Sequence, residues 1–367
     1  MPNSTASNTK SRHFAALSRL LLAQDREEVL SSTESATLLS MDEAEFSQFI
    51  RIAQSNHVII RGLQAFNGLM LQIGDQERAE WTATPLAEEH LRISRALDNI
   101  CTICRTFRDQ GLGVMVIKSL DHWPDFGSDI DLYTDAFPEK VCSLMTNSFQ
   151  AEIAERSWGD RMACKWNFNL PRLEEPVEIH IRRMGQTGEQ QKLASKLLIR
   201  SRMVEINDHS YQVANIADRI MISTLQRMYR HFYFRLCDII DSASLVSQKA
   251  IDYLQLRSFA KEAGIWEGVA SYLRIVSDYV ETFSGSRLDI PDFVRADARF
   301  GGEGVFVRGD FLRVPVMPQS IDLYRSQLAG LIRRRELRSS ARLGMLPWLA
   351  TAAAVGYKLT GSDKGIW

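Results

Sequence analysis

Between residues 112 and 213 the apolar side chains stop recurring every three or four positions and begin to alternate, a switch that limits the chain to a sheet set within helical sequence. The runs VMVIKS, DIDLYT, KWNFNL and VEIHIR, and the pair MVEI and YQVA around Asn207 and Asp208, read as strands. Helices are expected between them at residues 139–149 and 190–199. The flanks keep the helical period, in FAALSRLLL and FSQFIRIAQSNHVIIRGLQAFNGLMLQ before the sheet and in ADRIMISTLQRMYRHFYFRLCDIIDSASLV and IDYLQLRSFAKEAGI after it. The expected class is α+β. Its parts are a helical region at 1–95, an α/β core at 96–215, a second helical region at 216–290, and a hairpin (VFVRGDFLRVPV) with a basic, then apolar, tail at 291–367.

A chain of 367 residues, 45% hydrophobic and 24% charged, has ample apolar material for a core. A formal net charge of -1 argues against coating nucleic acid through overall electrostatics. The polar start MPNSTASNTKSRHF lacks the apolar stretch of a secretory signal, so a cytoplasmic protein with reduced thiols is expected. Cys101 and Cys104 form a CxxC, but they share helical spacing with Leu97, Ile100, Ile103 and Phe107, and no second Cys/His pair lies nearby; a buried helix face is the reading. Ser40 or Asp42 is placed to cap a helix running through Phe46 and Phe49. No basic recognition helix is visible there, which argues against a DNA-binding helix-turn-helix. The apolar run at 343–357 is shorter than the ~20 residues a spanning helix needs and contains Pro347, so no transmembrane segment is expected; a docked amphipathic C-terminal helix is the reading, ahead of a membrane-surface anchor.

The stretch VIKSLDHWPDFGSDIDL carries the chemistry. On a strand, Asp129 and Asp131 project to one side while Ile130 and Leu132 face the core. Two ionised carboxylates at that spacing repel, and a divalent cation relieves the repulsion; Mg²⁺ commonly uses one or two carboxylates together with phosphate oxygens. In PVEIHIRR the same alternation puts Glu178 and His180 on one polar face, so a third carboxylate joins the site if that strand neighbours the first. Lys118 and Ser119 follow the apolar run VMVI, where a lysine charge and a small hydroxyl residue suit phosphate oxygens. On an alternating strand only one of the two faces the phosphates easily.

Together these residues resemble the polymerase-β-like nucleotidyltransferase superfamily and, more narrowly, its uncharacterised nucleotidyltransferase family. The matching stretches are Ile117-Lys118-Ser119, Ser128-Asp129-Ile130-Asp131-Leu132, Glu178-Ile179-His180 and Arg235-Leu236-Cys237-Asp238-Ile239-Ile240, with FSQFIRIAQSNHVIIRGL similar to that family's N-terminal helix pair. The likeness covers roughly residues 45–280. Ser119 stands where the family usually has glycine, and a position needing φ > 0 there would narrow the approach of a triphosphate. Glu178 replaces what is more often aspartate.

The resemblance implies a small mixed sheet with flanking helices and the transfer of a nucleoside monophosphate from ATP or another NTP, with Mg²⁺ (two ions possible) held by Asp129, Asp131 and Glu178. Glu178 would complete the second metal site or accept a proton. Lys118, Ser119, Ser128, His180 and Arg235 would contact the nucleotide, and the helix around Arg227, Arg230, His231 and Arg235 would pack on the cleft. His180 either orients a carboxylate or is an ordinary hydrogen-bonded histidine, and Arg235 and Asp238 either serve the cleft or form a local pair. Tyr229, Phe232, Tyr233 and Phe234 read as core rather than stacking residues. The acceptor, a small molecule, a peptide or a protein, is not written in the sequence. Two competing readings are a fold-retaining binding protein without turnover and an enzyme that extends RNA ends, gripping phosphates with the C-terminal arginines.

Overall fold

Alternation produces the expected sheet. The computed structural model describes residues 4–349, 351–352 and 355, and its main sheet has seven strands: β1 (Val114–Val116), β2 (Ile130–Thr134), β3 (Glu152–Ile153), β4 (Lys165–Asn169), β5 (Val177–Ile181), β6 (Arg202–Ile206) and β7 (His209–Val213). Their order is β3-β4-β5-β2-β1-β7-β6. The sheet is mixed, because β2 runs parallel to β5 and β1 to β7, while β1–β2, β3–β4, β4–β5 and β6–β7 are antiparallel. The expected helices lie between strands at Pro138–Phe149 and Gln191–Arg200. The chain is therefore α+β, with helices flanking a mixed sheet.

Local chemistry explains the edges. Asn207 and Asp208, at φ of 47° and 62°, supply the two left-handed residues that a tight hairpin between β6 and β7 requires. Asp42, rather than Ser40, caps helix Glu43–Ser55, accepting from the Glu45 N–H at 2.8 Å. The CxxC thiols are buried in helix Ala83–Asp109, which packs on β1 and β7, and both are free.

Two features differ from the sequence reading. The periodic run from Ala217 onward is interrupted. Helix Ile216–Gln226 ends in a π-helical turn at Arg227–His231, and β8 (Tyr233–Phe234) precedes the next helix, Leu236–Ser247. β8 pairs with β10 (Phe311–Arg313), which pairs with β9 (Phe306–Arg308), so the expected hairpin belongs to a second, three-stranded sheet. Non-local pairing of this kind leaves no periodic signal in a two-residue strand. The first helix, Ser4–Leu22, packs on Trp266–Ser284, with a Ser18 to Tyr279 hydroxyl bond of 2.8 Å joining the two helical regions.

No helix among the described residues is long and apolar enough to cross a membrane. A short helix, Leu337–Gly344, begins the C-terminal segment. Within the apolar run at 343–357, residues 350, 353, 354, 356 and 357 lie outside the described residues.

Candidate functional site

The parallel register of β2 and β5 places Asp131 opposite Glu178 and Tyr133 opposite His180, and directly paired residues share a face. His180 Nε2 then meets Glu178 Oε1 at 2.7 Å and Asp131 Oδ1 at 3.6 Å. Asp131, Glu178 and His180 form one of the groups among the described residues whose ligand atoms all lie within 4.8 Å of one another. This polar face is buried, with Asp131 5%, Glu178 9% and His180 5% exposed. Buried charges need partners, and they have them.

Lys118 is one partner. Its ammonium bonds Asp131 and approaches Glu178 Oε1 at 3.6 Å, so it sits among the carboxylates. Burial alone would lower its pKa; Asp131, Glu178 and Asp129 together outweigh that and raise it. Lys165, at the start of β4, is the other, reaching Glu178 Oε2 at 2.8 Å and Asp160 Oδ1 at 3.0 Å. The β4–β5 register pairs Lys165 with His180 and Asn167 with Glu178. The alternation in KWNFN already put Lys165 and Asn167 on one face; only the strand order, which is non-local, was missing. For Glu178, burial would raise the pKa, but Lys118, His180 and Lys165 overcome it and hold the carboxyl well below its ordinary value.

Asp129 departs from the sequence reading, since β2 begins one residue later, at Ile130, and strand alternation does not orient it. It still lies close enough to the others to feel them. Asp131 first, then burial, push its carboxyl up to about 6, with Glu178 adding to the rise and Lys118 and Arg235 opposing it. A folded value above the unfolded one, ~4, means that this group favours folding at low pH and that the benefit is lost as pH rises through about 6. A bound divalent cation should reverse this loss. The expected result is a larger rise of the thermal midpoint on adding Mg²⁺ or Mn²⁺ at about pH 7.5 than at about pH 5, measured by scanning fluorimetry.

The turn before the aspartates also differs. Lys118, rather than Ser119, has the left-handed backbone, φ 62°, within a tight turn in which Ser119 N–H donates to Ile117 O at 2.7 Å. Glycine is therefore not demanded at position 119 by a positive φ. The Ser119 hydroxyl is used internally, accepting from Asp131 N–H at 2.8 Å and donating to Asp129 O at 3.2 Å. Through these two bonds Ser119 fixes the backbone that presents both aspartates. Ser128 is exposed, its hydroxyl 3.4 Å from Asp129 Oδ1. The loop from 120 to 128 is braced by Asp125, which is fully buried and accepts from Ile60 N–H at 2.6 Å and Arg61 Nε at 2.5 Å.

The helix expected to face the cleft contributes unevenly. Arg227 is buried in a pair with Asp238, 2.7 Å from Nε to Oδ2, so the local Arg235–Asp238 pair does not form; Asp238 accepts only the Arg235 backbone N–H, at 2.7 Å. Burial first, and then the nearby charges of Arg230, Arg227, Lys118 and Arg235, push His231 down to about 2, so its ring is neutral. Tyr229 and Phe234 are core, as read; Tyr233 is half-buried and stacks on Phe311 at 4.4 Å. A cavity of about 20 Å³ bordered by Asp160, Lys165, Gln186 and Arg230 adjoins the cluster. It has room for about one water molecule.

No protein-family model matches the chain, and a search of curated proteins returns no match.

Proposed function

We propose that the chain is a metal-dependent nucleotidyltransferase with a polymerase-β-like core, taking a nucleoside triphosphate, ATP first among them, as donor and a hydroxyl or phosphate group as acceptor. The observation that carries this reading is the in-register pairing of Asp131 with Glu178 on adjacent parallel strands, with Asp129 on the lead-in to the first strand. Three carboxylates supply the hard oxygens that suit Mg²⁺, and the raised pKa of Asp129 records carboxylate repulsion that such an ion relieves. Asp129, Asp131 and Glu178 would hold it. When bound, Mg²⁺ supplies charge neutralisation at the transferring phosphoryl group.

The protein's own groups divide the remaining work. Glu178, held ionised by Lys118, His180 and Lys165, suits ligation rather than proton transfer, and His180 orients it. Lys118, once it leaves Asp131, carries its charge to the triphosphate. Arg230 and Arg235 extend the positive wall along which phosphates would lie. Incubation of the protein with each NTP and Mg²⁺, followed by mass analysis of protein and of small-molecule, peptide and RNA acceptors, tests the reading. A mass gain of one nucleoside monophosphate on any acceptor supports it; no Mg²⁺-dependent nucleotide binding sinks it.

A second reading, a binding protein that keeps the fold without turnover, is favoured by the same Lys118, whose ammonium already pairs with Asp131 as Lys165 pairs with Glu178. Lys118→Met separates the two. If the ammonium competes with a cation, the variant should bind Mn²⁺ about tenfold more tightly, the worth of one pKa unit of electrostatic competition, while any transfer activity falls. Isothermal titration that finds no Mn²⁺ binding in either protein would favour the second reading.

A further inference from the structure

Beside the carboxylate cluster, and not used by it, His57, His122 and Cys237 converge from three distant stretches of sequence, with all three buried and their ligand atoms within 4.8 Å of one another. His57 follows helix Glu43–Ser55, His122 lies in the loop between β1 and β2, and Cys237 opens helix Leu236–Ser247. Their donor set, two imidazoles and a thiol, differs in kind from three carboxylates. Nitrogen and sulfur donors select zinc or another borderline-soft transition ion over Mg²⁺.

The geometry is specific at its best-defined edge. His122 Nδ1 meets Asp241 Oδ2 at 2.6 Å, and Asp241 is itself held by Arg61 at 2.7 Å. A histidine donating Nδ1–H to a carboxylate has its Nε2 lone pair free for a metal, the usual support for a ligating histidine. That Nε2 lies 3.7 Å from Cys237 Sγ. With zinc–sulfur about 2.3 Å and zinc–nitrogen about 2.0–2.1 Å, a tetrahedral ion separates its sulfur and nitrogen ligands by about 3.6 Å. His57 brings a ring nitrogen within 4.8 Å of the ligand atoms of His122 and Cys237, and the only hydrogen-bond partner recorded for its Nδ1 among the described residues is Arg235 Nη1, at the weak distance of 3.4 Å.

We propose that His57, His122 and Cys237 form a zinc site, oriented by Asp241 and separate from the carboxylate site, with water in the fourth position. Binding releases the Cys237 thiol proton to solvent and forms the zinc–thiolate bond, with no change of oxidation state. The ion staples the N-terminal helical region, the loop after β1 and the helix after β8, the junction where Cys237 N–H already donates to Asn56 O at 3.2 Å. This proposal does not rest on nucleotide transfer.

Its test is direct. The full chain, purified from zinc-supplemented medium and dialysed, should carry about one zinc per chain by elemental analysis. The metal-stripped protein given Co²⁺ should show a thiolate-to-cobalt charge-transfer band in the near ultraviolet. Asp131→Asn should keep both signals, whereas Cys237→Ser should lose the band and most of the zinc. Should Cys237→Ser fail to fold, His57→Gln provides the second variant, with at least about tenfold weaker zinc binding expected. The proposal is overturned if the wild-type cobalt protein lacks the charge-transfer band, or if zinc is lost in Asp131→Asn and retained in Cys237→Ser.

Discussion

Asp131→Asn should reduce the proposed nucleotide transfer on the order of a thousandfold, roughly 4 kcal/mol of transition-state stabilisation, while leaving the chain folded. Asp131 touches most of the cluster: it bonds Lys118, approaches His180 and pairs in register with Glu178. The amide keeps the volume and one acceptor oxygen but removes the charge that a divalent ion shares. Asp131 is also the largest cause of the elevated Asp129 value, so the same substitution should bring that carboxyl from about 6 toward ordinary aspartate behaviour. Carbon-detected NMR titration of the aspartate carboxylates reads this second effect without any assumption about the acceptor. Unchanged transfer in the variant refutes the ligand role. An unchanged Asp129 titration refutes the electrostatic coupling.

Counting charge around the site explains why it can be both buried and poised. Asp129, Asp131, Glu178 and Asp160 face Lys118 and Lys165, with His180 between two of the acids. The cations are on flexible stems while the acids are on or beside the sheet, so the anionic frame is the fixed element and the ammonium groups are exchangeable. A frame of that kind accepts a divalent ion by releasing a lysine, at little cost in backbone rearrangement. Ser119 serves the same end, tying the Asp129 carbonyl and the Asp131 N–H through one hydroxyl.

The legible part of this site was the part governed by period two. Asp131, Glu178 and His180 could be assigned to polar faces from DIDL and VEIHI, and the structure brings those faces together because β2 and β5 are neighbours. Strand order was not legible, which is why Lys165 went unnoticed although KWNFN alternates as cleanly. Boundaries failed where turns intervene: β1 stops at Val116, Lys118 takes the left-handed backbone, and Asp129 stands just outside its strand. Nor did the sequence show that the polar face would be covered, since alternation distinguishes two faces without saying what packs on the second. Likewise, His57, His122 and Cys237 are too far apart in the chain for any spacing rule, and only tertiary packing makes them neighbours.

Arg227→Met should be among the most destabilising single changes in the molecule, costing about 3–5 kcal/mol, because it strands a buried carboxylate. Arg227 is 1% and Asp238 3% exposed, and their pairing at 2.7 Å spans the π-helical turn and the helix that follows β8. In the wild type, burial would lower the Arg227 pKa, but Asp238 outweighs it and raises it, as the ion pair requires. With the guanidinium gone, Asp238 keeps only the Arg235 N–H donor at 2.7 Å and must either remain ionised without a counter-ion or take up a proton. Neutralising both members removes the desolvated charge altogether, so Arg227→Met with Asp238→Asn should recover most of the loss, the asparagine oxygen still accepting from Arg235 N–H. Urea denaturation of the two single variants and the double variant measures this coupling. A double variant no more stable than Arg227→Met alone would show that the arginine acts through packing against Tyr233, 5.5 Å from its ring, rather than through charge. The distinction bears on the site, because the same turn carries Arg230, which borders the small cavity shared with Asp160 and Lys165, and a turn held by an internal ion pair fixes where that guanidinium stands.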